Sequence, residues 1–458
     1  MMDLKSKKHY IAIIGGSISG SEAAKVLADK GIRVVVFEMN NLPYGKIEDG
    51  LPCWHVGLRD KQEKNIDEKL DNENIRYVPK VQIGKDIPFK DLVEDWGFSA
   101  VILANGAWKD RPLPVENIEK FRGKELIYQN SLLYWFNHKH EPDYDGRIYE
   151  MEDGAVVVGG GLASLDVMKI GMIELVQKAL KEQKGIDIDM FEMEKKGINK
   201  ILSDNDTSLE ELGLKGMTLV YRREAKDMPL KAAKDNSPES KRKAEEVSEK
   251  LLNKYVDKYL FKFLPLHIPV DFIEHNCSLK GIVFQEVEIK EGRVVPIDKF
   301  ETLQTSQVIS SIGSLPKKIE GLPYDRDWLK MRKDVDYMVE GFDNVFAVGN
   351  AVTGKGNIQE SKIHGRKITE KIIEEQLIDI DLLEEWLKSF NEKVTDETRK
   401  ETDSIENFIK DQPVQSEEII QTILDKTKAF HDKVGYTTYK EWIREKTPIR
   451  LENMLSKL

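Results

Sequence analysis

The sequence predicts an α/β protein that contains two Rossmann-like βαβ units and ends in a helical extension. Two glycine-rich turns, at residues 15–20 and 159–164, each follow an apolar, β-rich run and precede a segment with helical spacing. From about residue 376 the chain is charged, and its apolar residues recur at helical spacing. Because 458 residues exceed one ordinary hydrophobic core, we expect two or three domains.

The first βαβ unit runs from the strand HYIAIIGG through the helix SGSEAAKVLADKG to the strand IRVVVFE. Gly15 and Gly20 fit the G-x-G-x-x-G template of dinucleotide-binding loops, whereas Ser17 replaces the middle glycine. Gly15 permits the tight turn, Gly20 permits close packing of helix on strand, and a pyrophosphate would lie at the helix N-terminus. Glu38 ends the second strand, where a carboxylate accepts hydrogen bonds from a ribose. The unit predicts a bound dinucleotide, and a structural turn of similar sequence is the alternative.

The second βαβ unit has a different residue at the ribose position. Gly159, Gly161 and Ser164 form its loop, and the strand that follows the helix ends in Arg222 and Arg223. An acid at this place suits the free hydroxyl of NAD, whereas arginines bind the additional phosphate of NADP. One chain with both kinds of site predicts a flavin in the first and NADPH in the second, unless the arginines are ordinary surface residues.

Charge and cysteine content exclude several other classes of protein. The chain has 70 basic and 81 acidic residues, and this net charge of −11 argues against nucleic acid as the main partner. No apolar run is long enough to span a bilayer, and two cysteines make neither a disulfide framework nor an iron–sulfur set. A cytoplasmic location is therefore expected. Cys53 is interpreted as a packing residue, and Cys277, in a β-rich stretch, is expected to be buried.

Several stretches, in a shared order from about His9 to Gln376, resemble the adrenodoxin reductase type of ferredoxin–NADP reductase, which is related to the glutamate synthase small subunit. The stretches that carry the resemblance are IAIIGGSISGSEAA, LPYGKIEDGLPCWH, IGKDIPFKDLVEDWGFSAVILANGA, YQNSLLYWFN, VVVGGGLASLDV, VYRRE, VISSIGSLP and NVFAVGNAVTGKGNI. The resemblance implies an FAD domain at 1–106 and 316–375, an inserted NADPH domain at 107–315, and an extension at 376–458 outside the family pattern.

The resemblance also implies site residues. Those expected to bind FAD are Gly15, Ser17, Ser19, Gly20, Glu38, Lys46, Ile83, Ala104, Gly106, Gly349, Asn350, Gly356, Asn357 and Ile358. Those expected to bind NADPH are Gly159, Gly160, Gly161, Leu162, Ala163, Ser164, Arg222 and Arg223. His55 and Asp166 match positions at the flavin edge, where a proton relay is the implied role. The chain departs from the family at Ser17, at Leu162 (usually asparagine) and at Asn350 (usually tryptophan or aspartate).

The resemblance implies transfer of a hydride from NADPH to FAD and of electrons to a ferredoxin-like iron–sulfur protein. Lys241, Arg242 and Lys243 match the family's basic patch for that acidic partner, although an ordinary solvated helix is the favoured explanation. Three alternatives remain: an electron-input subunit of a larger complex, a reductase of an organic substrate with a closed pocket over the flavin, and a nucleotide-binding protein without turnover. The extension is expected to clamp across the FAD domain, with a dimer contact or partner docking as alternatives.

Overall fold

The structure is a computed structural model that describes residues 9–231, 233, 235, 237–335, 337–349 and 381–455, with side chains described from residue 392 in the last range. Its strands are β1 (Tyr10–Ile14), β2 (Arg33–Phe37), β3 (Ile75–Val78), β4 (Ala100–Leu103), β5 (Lys109–Asp110), β6 (Leu126–Tyr128), β7 (Val156–Gly159), β8 (Thr218–Val220), β9 (Lys262–Leu264), β10 (His267–His275), β11 (Ser278–Lys290), β12 (Arg293–Gln304), β13 (Val308–Ser311), β14 (Ser314–Leu315), β15 (Tyr324–Asp325), β16 (Trp328–Leu329) and β17 (Val345–Ala347). The predicted mixed α/β class is confirmed.

The helices lie mainly between parallel strands and in the C-terminal part of the chain. They are α1 (Ile18–Asp29), α2 (Lys46–Asp49), α3 (Val56–Leu70), α4 (Phe89–Glu94), α5 (Gln129–His138), α6 (Leu162–Lys184), α7 (Met190–Lys196), α8 (Ile198–Asp204), α9 (Pro238–Tyr259), α10 (Asp381–Asp411), α11 (Glu417–Val434), α12 (Tyr439–Lys446) and α13 (Leu451–Leu455). Two short 3₁₀ turns lie at Ile118–Phe121 and Ala225–Asp227.

Each of the two predicted βαβ units belongs to its own parallel sheet. In the described part of the chain, the first sheet has the order β17-β4-β1-β2-β3 and the second the order β6-β13-β7-β8-β9. The central strands are fully buried and mostly apolar, as is usual for parallel sheets covered on both faces, although β13 ends in two serines. In both sheets the strand order reverses beside the first strand of the βαβ unit, which creates a crevice at the carboxyl edge.

Two short strands connect the sheets. β5 and β14 pair in antiparallel fashion, so the chain crosses to the second sheet and returns at one place. The first sheet consists of β1 to β4, which precede β5 in the chain, and of β17. The second sheet consists of β6 to β9 and β13. We therefore keep the predicted boundaries, 1–106 with 316–375 and 107–315, as the proposed domains.

The antiparallel sheet β10-β11-β12 extends from the second domain and corrects one expectation. Cys277 is exposed, whereas the β-rich sequence around it predicted burial. It lies in the turn between β10 and β11 with φ +58°, so its side chain projects from a hairpin end and not into a sheet face. The other free cysteine, Cys53, is buried as expected.

The C-terminal extension packs against the first sheet and its helices, as expected of a clamp. α10 runs through the segment 391–404, which the sequence left open as a linker or a helix, and its Arg399 binds the buried Glu22 of α1 at 2.5 Å. Gln415 accepts a hydrogen bond from the backbone N–H of Tyr10 at 2.6 Å. The indole N–H of Trp442 donates to the carbonyl of Asn41 at 2.7 Å. The extension packs against both faces of the first sheet, because Ile423 lies in the core cluster of Ala12 and Ile14 and Ile405 lies in that of Ile11 and Ile13.

The clamp predicts a stability difference between two isoleucines of the extension. Ile423 is fully buried in the core cluster of the first sheet, so Ile423→Ala should lower the free energy of unfolding by about 2–5 kcal/mol through lost packing and a residual cavity. Ile449 is 60 % exposed, and Ile449→Ala should change it by less than about 0.5 kcal/mol. Urea unfolding followed by tryptophan fluorescence measures both. Equal, small effects would show that the extension does not support the sheet.

Candidate dinucleotide sites

The first glycine turn lies in the crevice where the strand order reverses between β1 and β4. Gly15 has φ +100°, and a Cβ atom there would lie 2.7 Å from the carbonyl oxygen of Ala104. A Cβ atom on Gly20 would lie 1.8 Å from the carbonyl oxygen of Gly15. Only glycine fits at these two positions, because helix α1 begins against the strand end. The turn therefore has the close packing that the dinucleotide fold requires.

Ser17 is accommodated without closing this turn. Its hydroxyl donates to the carbonyl of Tyr44 at 3.0 Å, and a Cβ atom on the facing Gly45 would lie 3.0 Å from the Ser17 Cβ. The serine side chain is thus held by the segment that precedes α2. It makes no capping bond to α1, so it does not occupy the first N–H groups of that helix. These groups stay available for an anion such as a pyrophosphate.

Glu38 supports the same turn from the end of β2. Its carboxylate is buried and accepts hydrogen bonds from the backbone N–H groups of Gly16 at 2.9 Å and Asn40 at 3.0 Å. Burial raises the pKa of Glu38 to about 7, although the two N–H groups oppose the shift. The structure places the carboxylate beside the loop, and its contact with a ribose stays a prediction.

Gly349 is the last residue of the predicted FAD set that the structure describes, and it lies against the first loop. A Cβ atom on Gly349 would lie 2.2 Å from the hydroxyl oxygen of Ser19, so these two predicted residues are in contact. Gly349 also donates its N–H to Glu401 of α10 at 3.0 Å. Burial raises the pKa of Glu401 to about 7. The sequence did not indicate this residue, because helical spacing shows that a helix has a buried face but not which residues that face contacts. The predicted residues Asn350, Gly356, Asn357 and Ile358 lie outside the described residues.

Three further residues of the predicted FAD set are Lys46, Gly106 and Ile83. Lys46 begins α2 directly after Gly45, and its Nζ donates to the hydroxyl of Ser314 at 3.0 Å. Burial lowers the pKa of Lys46 to about 8. Gly106 turns with φ +60° two residues after Ala104. Ile83 is buried in the core cluster of the first sheet, where a packing role accounts for it.

The second glycine turn repeats the arrangement between β7 and β13. A Cβ atom on Gly159 would lie 2.6 Å from the carbonyl oxygen of Ser311, whereas one on Gly161 would meet nothing within 4 Å. Ser164 is buried and donates its hydroxyl to the Gly161 carbonyl at 2.6 Å. Leu162 and Ala163 open α6, which has no side-chain cap. The open side of Gly161 leaves room for a phosphate at uncapped N–H groups.

The arginine pair follows β8 at the far side of this loop. Strand β8 ends at Val220, so Arg222 and Arg223 lie just beyond it and not within it. Arg223 donates to the carbonyl of Gly292 at 2.8 Å, whereas Arg222 is exposed. The ring of Tyr221 covers Gly160, since a Cβ atom on Gly160 would lie 2.0 Å from a carbon of that ring. Tyr221 was not among the residues predicted from the sequence. The one sequence signal for this contact was an aromatic residue directly before the two arginines.

The structure brings together the two predicted catalytic residues, which are more than a hundred positions apart. His55 Nε2 lies 3.8 Å from Asp166 Oδ1, and both side chains are largely buried. Asp166 lies in the second turn of α6, so it is not a helix-capping residue. Trp54 donates its indole N–H to His55 Nε2 at 3.0 Å, a contact that the sequence analysis did not anticipate.

The predicted basic patch lies on the exposed start of α9. Arg242 pairs with Glu246 at 3.6 Å, and Lys243 pairs with Glu239 at 3.0 Å, both within the same helix. Lys241 is the third cation of this run. The local pairing is that of an ordinary solvated helix, which weakens the case for a strongly positive docking face.

A cavity of about 350 Å³ lies where the two sheets are connected. Aromatic rings form much of its wall, and two cations and two acids line it; among its lining residues are Lys46, Asp49, Trp108, Asp110, Tyr134, Tyr144, Arg147 and Tyr149. It therefore adjoins α2, the segment that the resemblance places beside the flavin. Such walls suit a planar aromatic ring.

The structure has two glycine turns of the dinucleotide-binding type, one at the strand-order reversal of each parallel sheet. Residues 9–172 match the pyridine nucleotide-disulphide oxidoreductase family. This match confirms the sequence-based resemblance, and the predicted cofactors, FAD and NADP(H), agree with it.

Individual relatives agree with this class at low identity. The glutamate synthase [NADPH] small chain of Mycobacterium tuberculosis is 30% identical over 172 residues, which cover 34% of this chain and 32% of the relative. The mitochondrial NADPH:adrenodoxin oxidoreductase of Arabidopsis thaliana is 23% identical over 350 residues, or 70% of each chain. The structure of Mycobacterium tuberculosis FprA in complex with NADPH superposes with a TM-score of 0.63 at 18% identity, covering 93% of this chain and 91% of that one.

The matched region spans about a third of the length of the first of these relatives. The superposition shows a shared fold, while activity, substrate and partner need an argument from the site itself. No helix among the described residues has the length and apolar character to cross a membrane.

Proposed function

We propose that the protein is an FAD-dependent NADPH oxidoreductase that passes electrons to a ferredoxin-like iron–sulfur protein. One observation carries the proposal: two glycine turns lie at the reversal points of two parallel sheets, one beside a buried acid and the other followed by two arginines. A reducing cytoplasm suits the two cysteines of the chain.

The residues that would hold the cofactors follow from the contacts. Gly15, Gly20 and the uncapped start of α1 would hold the FAD pyrophosphate, and Glu38 its ribose. Gly161 and the start of α6 would hold the NADPH pyrophosphate, and Arg222 with Arg223 its additional phosphate. When bound, FAD supplies the step from two-electron hydride uptake to single-electron release. His55 would hold a proton at the edge of that site.

The acceptor is proposed from the activities of the similar proteins. They include a NADPH:adrenodoxin oxidoreductase and a probable ferredoxin/ferredoxin–NADP reductase of Mycobacterium bovis, the latter 26% identical over 162 residues. The similarity to the glutamate synthase small chain suggests an alternative to ferredoxin as acceptor, namely an electron-input role in a larger complex.

A second candidate, reduction of a small organic acceptor, is favoured by the cavity of about 350 Å³ beside Lys46. This alternative calls for a closed pocket over the flavin, whereas the cavity is only partly enclosed; its aromatic walls supply a place for a planar ring. Lys46 and Arg147 would bind a carboxylate or a sulfonate on that ring, and the like charges of Asp49 and Asp110 in the same wall would oppose it.

One assay separates the candidates. Cytochrome c reduction by NADPH should require added ferredoxin and should fall as salt rises, because an acidic partner is attracted electrostatically. Rapid reduction of a naphthoquinone sulfonate without ferredoxin, lost in Lys46→Met, would instead favour the organic acceptor. Bound nucleotide with no NADPH oxidation by either route would identify a binding protein and contradict both enzyme proposals.

A further inference from the structure

The hydrogen bond between Trp54 and His55 determines where the histidine carries its proton. An indole N–H is a donor only, so at 3.0 Å His55 Nε2 must be the acceptor. An imidazole whose Nε2 accepts is neutral and has its hydrogen on Nδ1. The contact therefore selects the Nδ1–H tautomer.

The same bond leaves His55 and Asp166 without a hydrogen bond between their facing atoms. At 3.8 Å, the Nε2 and Oδ1 atoms are too far apart for a hydrogen bond, and the Nε2 lone pair is already occupied by the indole. A proton therefore has no direct path between these two atoms. The carboxylate charge is instead accompanied by Lys169 Nζ, 3.9 Å away.

Trp54 is held firmly enough to fix this arrangement. Its ring is buried and meets Phe136 in an edge-on contact with centroids 5.0 Å apart. Lys169, only 2 % exposed, places Nζ 4.7 Å from the Trp54 ring centroid, within cation–π range. That ammonium group is itself bound by Glu194 at 2.7 Å.

The other ring nitrogen faces a different environment. Among the described residues His55 Nδ1 has no hydrogen-bond partner, whereas its Nε2 is occupied. An Nδ1–H donor is therefore left for a group bound in front of the ring. In the proposed function that group is at the reacting end of the cofactor site.

We infer that Trp54 is a positioning residue that selects the Nδ1–H tautomer of His55 and so presents a proton on Nδ1. The inference rests on the proposed function for its use, because the proton on Nδ1 would serve the reacting end of the cofactor site and not Asp166. The tautomer itself is a property of the chain and is measurable without turnover.

The test is ¹⁵N NMR of the full chain with ¹⁵N-labelled histidine, with the His55 signals assigned by comparison with His55→Gln. Two-bond ¹H–¹⁵N correlations distinguish the two tautomers. We expect the Nδ1–H pattern in the wild type and a change to Nε2–H, or to a mixture, in Trp54→Phe, which keeps the ring and removes the donor. The matched control Trp135→Phe, at another buried tryptophan, should leave the pattern unchanged.

A second variant keeps the inference testable if Trp54→Phe does not fold. Asp166→Asn should retain the Nδ1–H pattern, because the indole and not the carboxylate selects the tautomer. An Nε2–H pattern in the wild type, or a change of tautomer in Asp166→Asn, would overturn the inference. Failure of NADPH turnover with the Nδ1–H pattern intact would contradict the proposed function alone.

Discussion

Gly20→Ala is expected to remove nearly all bound FAD from the purified protein. The added methyl group would lie 1.8 Å from the carbonyl oxygen of Gly15, which is backbone and cannot rotate away. The start of α1 must therefore shift from β1, and its N–H groups lose their place at the pyrophosphate. Flavin content, measured from the visible absorbance per chain, reports the loss.

Gly57→Ala is the matched control for this variant. Gly57 is an exposed glycine near the start of α3, and a Cβ atom there would meet nothing within 4 Å. This variant should keep its flavin and gain slightly in helix propensity. Full flavin content in Gly20→Ala, with the far-ultraviolet spectrum of the wild type, would contradict the assignment of the first loop.

Replacement of both Arg222 and Arg223 by alanine is expected to raise the KM for NADPH about 10- to 100-fold. Charge-assisted bonds to a phosphate contribute about 1.5–3 kcal/mol, which corresponds to that range. Arg222 should account for more of the effect, because it is exposed while Arg223 already donates to the carbonyl of Gly292.

NADH is the internal control for the arginine pair, since it lacks the additional phosphate. Its KM should change less than about twofold, and the single variants should rank Arg222→Ala above Arg223→Ala. An equal rise of KM for both cofactors would mean that the arginines do not bind the phosphate.

The βαβ units were predictable because their determinants are local. A buried strand, a glycine turn and an amphipathic helix follow one another in sequence, so Gly15, Gly20 and Gly159 could be assigned before the structure. The structure adds the steric reason, since each of these glycines faces a backbone carbonyl. Ser17 departs from the template and is tolerated because Gly45, distant in sequence, leaves space for its side chain.

Contacts between distant segments were not predictable. Periodicity shows that α10 has a buried face, but not that Glu401 reaches the N–H of Gly349. Similarly, Lys169 lies one turn after Asp166, yet only the folded chain places it over Trp54. The exposure of Cys277 was missed because a β-rich composition does not show where a hairpin turns.

The most direct test of the account is the visible spectrum of the purified protein before and after anaerobic addition of NADPH. The account predicts two flavin bands that bleach on addition of about one equivalent of NADPH per chain. A protein that stays colourless after incubation with FAD, or a bound flavin that NADPH does not bleach, would contradict it.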